Sequence, residues 1–243
     1  MPVSWAEKPS EWTKVTRQEV LEILENTDEG EKPDLSTMDF RGEDMSDIDF
    51  KQATFFYTDM RNVDLSGSDF SGSKMDLAIL DGANLKGARL RNAAMNNVGM
   101  DDVNLQDADL SGTRLLAELH RSDLSNANLS GVDAAANMAN QPMGMLRTQG
   151  QSTKFRNADL SNADFSYCVL TFADFRGANL ENVDFTYCDL SEADFTGADL
   201  TNVNLSKATL AGAVFSNIKG RDTITGLDTA RGIDRAKGLG YPD

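Results

Sequence analysis

From Leu35 to Phe215 a Leu, Phe or Met recurs at almost every fifth residue. That spacing fits neither ordinary element. Five residues along an α-helix turn the side chain by about 140°, so the apolar positions would wander around the circumference and bury no common face. A straight strand has period two, so an odd step would send successive apolar side chains to opposite sides. The chain must therefore turn a corner within each five-residue unit.

The segment Ala158 to Cys168, ADLSNADFSYC, shows how. If the large apolar residue is called i, a small residue sits at i−2 (Ala158, Ala163, Cys168), on the same inward side. An Asp occupies i−1 (Asp159, Asp164) and points outward. Position i+2 favours Gly or Asn, as at Gly177 and Asn162, the residues that best tolerate tight turns and positive φ. A longer echo gives the number of sides. DFSYCVL, from Asp164 to Leu170, returns twenty residues later as DFTYCDL, from Asp184 to Leu190. Four sides then make one coil, with coils about 4.8 Å apart. The same spacing predicts a stacked column of Phe155, Phe175, Phe195 and Phe215, with Phe165 and Phe185 in a second.

These units resemble the pentapeptide-repeat family, whose pattern is A(D/N)LXX, over about three quarters of the chain. The resemblance implies an all-β solenoid, specifically a right-handed quadrilateral β-helix. Handedness comes from the resemblance alone, because spacing does not fix it.

Where the phase holds and fails divides the chain. Residues 1–32 lie outside the repeat and read as an N-terminal arm with a short capping helix. Thr16 and Glu19 form a capping box ahead of the apolar stripe Val20, Leu21, Ile23 and Leu24, and the helix ends near Asn26. Trp5 and Trp12 precede it and are expected to pack against the helix or first coil. Residues 33–134 form the first part of the β-helix. Within it the phase slips by one between Leu115 and Leu119, predicting a kink near Leu116 to Arg121. Residues 135–153 have no pentapeptide character and read as an inserted loop, with phase returning at Phe155. Residues 154–217 form the second part. Residues 218–243 change to six-residue units, GLDTAR and GIDRAK, and read as a C-terminal cap or a dimer contact. Leu227, Ile233 and Leu239 are the candidates for covering the last coil. Family resemblance implies a homodimer through that end, whereas the sequence leaves cap and dimer contact open.

Composition narrows the function. Lys plus Arg number 23 against 39 Asp plus Glu, a formal charge of −16, which argues against nucleic acid or an anionic membrane as direct ligand. The amino terminus shows no charged-then-apolar signal, and no run approaches a membrane span, so the expected setting is cytoplasmic. Cys168 and Cys188 occupy equivalent i−2 positions one coil apart, where a small apolar side chain is required. Buried, reduced thiols are the expectation.

Catalytic chemistry is not legible. His120 is the single histidine and falls at i+1, facing solvent. One His and two Cys supply no zinc spacing, and neither a phosphate-binding glycine loop nor a GGxGxD calcium motif occurs. The expectation is a non-enzymatic protein without cofactor or metal. Stacked i−1 acids such as Asp44 with Asp64 could hold a cation, but Asn84, Asn104, Asn204 and Arg89 interrupt the columns as dilution of repulsion would require.

Two candidate surfaces remain. The inserted loop carries Met138, Met143, Met145, Leu146 and Arg147, adaptable side chains suited to a protein partner. The acidic-face candidates are Asp159, Asp164, Asp174, Asp184 and Asp194. A rigid acidic scaffold for a protein partner is the first reading, since acidity follows automatically from Asp at i−1. The family resemblance implies an alternative, a DNA mimic that binds a type II topoisomerase such as gyrase and protects it from inhibitors.

Overall fold

The computed structural model describes residues 12–136 and 147–239. Parallel backbone bridges join residues twenty apart through most of the chain: Asp34 with Thr54, Asp39 with Asp59, Asp44 with Asp64 and Asp49 with Asp69. Four bridge columns result, and the four sides are numbered first to fourth in that order. Every bridging residue is an i−1 position.

Each unit is held locally and across coils. The carbonyl of i accepts the N–H of the next i−2 residue, as between Phe175 and Ala178 at 3.0 Å, closing a β-turn. Its third residue has positive φ, for example +60° at Asn162 and +68° at Gly177, which is the type II pattern and explains the Asn and Gly there. Across coils, Leu160 donates to Asn179 at 2.8 Å, Asn179 to Ala158 at 2.9 Å and Asn162 to Glu181 at 2.9 Å. The backbone polar groups of each unit are thus paired with the neighbouring coils.

The i residues fill the interior. Phe155, Phe175, Phe195 and Phe215 stack with centroid separations of 4.9, 5.0 and 4.9 Å, in the column that the twenty-residue spacing predicts. Phe165 and Phe185 follow one another at 6.0 Å, tilted by 36°. Burying each such ring or Leu contributes roughly 1.5–3 kcal/mol. Hydroxyls at i−2, Ser73 excepted, are tolerated because they reach a backbone carbonyl of the preceding coil, as Thr113 Oγ1 does to Leu90 at 2.7 Å.

The one-residue slip is absorbed by a bulge. Strand β3 (Ala94–Gly99) pairs in parallel with β4 (Arg114–Glu118), numbered after β1 (Thr13–Lys14) and β2 (Met38–Asp39). Asn96 faces Leu116 and Val98 faces Ala117, leaving Asn97 unmatched at φ +56°. The missing corner residue also lets Leu116 and Ala117 both be buried.

The off-repeat segment is shorter than the spacing suggests. Gln149 already bridges Glu118 and Val169, so the second side has resumed by Thr148. Thr148 and Thr153 are buried at i−2, donating to Leu115 and Leu119 at 2.7 Å each. Gly150 takes the inward position, and a Cβ there would stand 2.9 Å from Leu170 Cδ2. Polar and glycine residues hide this unit from an apolar pattern.

Both ends depart from the five-residue rule. Strand β1 pairs in parallel with β2, laying the arm along the second side. Helix α1 (Arg17–Asn26) begins with a complete Thr16–Glu19 capping box and buries Val20 and Leu24. Lys51 Nζ donates to the carbonyl of Leu24 at 2.8 Å, satisfying the helix C-terminus. At the other end the bridging residues Lys219, Thr225, Arg231 and Lys237 are six apart and pair with Asp199, Asn204, Thr209 and Val214. A glycine follows each bridging residue of this coil, at positive φ. A Cβ on Gly226 would meet the Ser206 nitrogen at 2.3 Å, so the chain presses onto the coil beneath. Leu227, Ile233 and Leu239 pack against the core, and an Arg221 guanidinium nitrogen donates to the Leu239 carbonyl. Among the described residues no helix is long and apolar enough to cross a membrane.

Candidate interaction surface

The i−1 carboxylates are parts of the corners. Oδ1 of Asp159 accepts the N–H of Ser161 at 3.0 Å, and Asp164 that of Ser166 at 2.9 Å. Asp174 accepts from Arg176 at 3.2 Å, Asp184 from Thr186 at 2.8 Å and Asp194 from Thr196 at 2.9 Å. Each is an Asx turn that pairs a corner N–H, and Asn serves equally well, as Asn179 does for Glu181 at 3.2 Å. The recurrence of Asp and Asn therefore has a local cause. All five candidates are half-buried.

Nor do these five make one face. Asp164 and Asp184 are bridge neighbours on the first side, Asp174 and Asp194 on the third, and Asp159 lies on the fourth. Several acids are also neutralised. Burial of Asp174 opposes its charge, but hydrogen bonds from Arg176 and Arg156 outweigh that and hold its carboxyl down to about 2. Asn84 Nδ2 donates to Asp64 at 2.9 Å and Asn104 to Asn84 at 3.0 Å, so the asparagines that interrupt the third-side column knit it together.

The second side differs. Its outward positions include Ile79, Gly99, Gln149, Val169 and Thr209, beside the charged Asp39, Asp59, Glu118, Asp189 and Arg231. Two of its acids are tied up: Asp39 pairs with Arg41 at 2.9 Å, and the fully buried Asp59 with Arg61 at 2.5 Å. The Arg61 guanidinium lies 5.8 Å from the centre of the Trp12 ring, which stacks on Tyr57 at 5.6 Å. Trp12 thus anchors the arm on the body, whereas Trp5 lies outside the described residues.

Among the described residues the exposed large hydrophobics are Phe56 (42 %), Phe172 (54 %) and Tyr187 (38 %). All three border the second side. Phe56 and Tyr187 stand at its corner with the first, where Tyr187 stacks on Tyr167 at 4.8 Å and Lys207 Nζ donates to its hydroxyl at 2.6 Å. Phe172 stands at the opposite corner, with half-buried Val169 between them. Sequence reasoning passed over Phe172 and Tyr187 because i+2 was read only as a turn position, and over Phe56 because it sits at i+1 of its corner. For Phe172 and Tyr187 the signal was present as Phe or Tyr where Gly or Asn is usual.

The loop candidates relate to this side only through their ends. Met138, Met143, Met145 and Leu146 lie outside the described residues. Buried Ala136 occupies the corner before them, and exposed Arg147 immediately precedes Thr148 of the second side. His120 is half-buried, and its Nδ1 accepts the Gln151 N–H at 3.0 Å. Cys168 and Cys188 are buried and free, and desolvation raises both thiols far from reactivity. Among the described residues no group of three His, Cys, Asp or Glu side chains is placed to hold a metal ion.

The family described as pentapeptide repeats matches in eight copies, over residues 35–72, 78–115, 151–182 and 178–217. No curated protein matches the chain. Among solved structures, the chain is similar to HetL, a pentapeptide repeat protein involved in heterocyst differentiation regulation from the cyanobacterium Nostoc sp. strain PCC 7120. Identity is 26 %, covering 84 % of this chain and 86 % of that one, with a TM-score of 0.34. It is also similar to full-length QnrB1, a plasmid-mediated fluoroquinolone resistance protein, at 16 % identity over 79 % of this chain and 90 % of that one, with a TM-score of 0.47. A pentapeptide repeat protein from the Arabidopsis thaliana thylakoid lumen is 31 % identical over 41 % of this chain and 60 % of that one, with a TM-score of 0.29.

Proposed function

The chain belongs to the pentapeptide-repeat family, and from that premise we propose that it is a non-enzymatic, right-handed quadrilateral rod that serves as a protein-binding scaffold through its second side. One observation carries this reading: the exposed large hydrophobics Phe56, Phe172 and Tyr187 all border that side. Exposed aromatics on a rigid wall are the usual makings of a binding centre. The acids of the other sides serve their corners first and are partly paired, which makes them a rim.

The test is affinity capture followed by quantitative comparison of two variants. Phe172→Glu with Tyr187→Glu should lose the captured partner. Asp159→Asn with Asp164→Asn and Asp184→Asn, which keeps the corner hydrogen bonds, should retain it. The reverse outcome overturns the reading.

The net charge of −16 favours a second reading, mimicry of DNA toward a type II topoisomerase. It requires salt-sensitive competition with DNA for purified gyrase, abolished by the triple Asp→Asn variant. Absence of binding at low ionic strength removes it.

A further inference from the structure

We propose that His120 is a pH-sensitive latch at the corner between the second and third sides, holding residues 149–153 in place while its imidazole is neutral. Where Asp or Asn stands at i−1 it takes the corner N–H two residues on, as Asp159 does for Ser161 at 3.0 Å. Gly99, Glu118 and Gln149 break that rule on three successive coils of the second side. There the corner N–H is taken by a side chain one coil back. Asp101 donates to Oδ1 of Asp81 at 3.1 Å, His120 to Oδ1 of Asp101 at 2.9 Å and Gln151 to Nδ1 of His120 at 3.0 Å. Imidazoles ordinarily titrate at about 6.5 and carboxylates at about 4, so only the last acceptor in this relay is lost near neutral pH.

Nδ1 accepts while it carries no proton, which places the proton of the neutral ring on Nε2. Protonation turns Nδ1 into a donor facing a donor, and the Gln151 N–H loses its partner. The charges around the ring draw the cation away from that N–H. Asp101 and Asp102 lie on the preceding coil and Glu118 on the same strand, opposed by Arg121, which is ion-paired to Asp101 at 3.7 Å and to Asp102 at 2.6 Å. The following coil presents uncharged Gln151 and Ser152, and beyond them Lys154, which is held by Asp123 at 3.2 Å.

The opened corner loosens what lies against it. Gly150 donates to the Val169 carbonyl at 2.7 Å and Ser152 to that of Thr171 at 2.9 Å, so the disturbance reaches the unit that carries Phe172. It stays local, because the Thr148 and Thr153 hydroxyls, which do not titrate here, still donate to Leu115 and Leu119.

NMR of the full chain across a pH titration tests the latch in the free protein. His120 is the single histidine, so its ring nitrogens give one unambiguous set of signals. The neutral ring should carry its proton on Nε2. Between about pH 7.5 and about pH 5.5 the exchange protection of the Gln151 amide, relative to that of Ser161, should fall about tenfold and track the imidazole signal. His120→Asn keeps an acceptor at the Nδ1 position and should abolish the fall, whereas His120→Phe should leave Gln151 unprotected at both values. A neutral ring protonated on Nδ1, a wild-type ratio that does not change with pH, or a fall that persists in His120→Asn would each overturn the proposal.

Discussion

Phe175 stacks on Phe195 with 5.0 Å between ring centroids and 4° between ring planes, one member of a column that continues to Phe155 and Phe215. Such a column makes each ring the floor of the next. Phe175→Ala should therefore cost about 3–5 kcal/mol, the loss of transfer free energy plus an unfilled cavity in a tube that cannot collapse easily. Urea denaturation of the two proteins side by side measures it.

Ser73 offers the opposite sign. Its Oγ is buried without a hydrogen-bond partner, while Ala53 and Ala93 occupy the equivalent positions in the coils on either side. Ser73→Ala should stabilise by up to about 1 kcal/mol, because an unpaired buried hydroxyl is removed with almost no change of volume. A higher denaturation midpoint at unchanged slope is the expected record.

Asp174 should control part of the acid limb. Its folded pKa is depressed to about 2 from the ordinary 3.8, so its contribution is fully present above about pH 4 and is lost as pH falls toward 2. Asp174→Asn should lower stability at neutral pH and flatten the stability profile between those limits. An unchanged acid limb in Asp174→Asn would contradict the Arg156 and Arg176 pairing.

Two glycines with similar φ separate backbone strain from contact. Gly87, at φ +66°, has open space where a Cβ would go, so Gly87→Ala should cost only about 1 kcal/mol for the left-handed conformation. Gly226, at φ +78°, leaves a Cβ 2.3 Å from the Ser206 nitrogen. Gly226→Ala must lift the last coil, adding about 1–3 kcal/mol of overpacking, and faster amide exchange from Lys219 to Leu239 should accompany the loss.

The body of the fold was legible because one physical demand, an inward Leu or Phe at every side, repeats undisguised. Legibility failed where the demand was met by other residues. Thr148, Gly150 and Thr153 build a full unit with hydroxyls that reach carbonyls and a glycine whose space Leu170 fills, so an apolar pattern sees nothing there. Four glycines similarly conceal the last coil, of which only two six-residue units stood out. The candidate site was less legible still. Outward Asp looked like a functional surface until its bond to the N–H two residues on showed a local cause, and Tyr167, Phe172 and Tyr187 sat in positions read as turns. Which sides those residues share depends on the coil register across the bulge at Asn97 and across the segment between Ala136 and Arg147. Spacing alone does not give that register.

The central claim is that the second side, and not the acidic columns, is the wall used for association. Amide hydrogen exchange of wild-type protein, compared with and without its captured partner, tests it most directly. Slowed exchange at residues 167–172 and 186–191, with no change around Asp159 or Asp199, is the predicted result. Slowing confined to the units around Asp159 and Asp199, or to the last coil beyond Lys219, would contradict it.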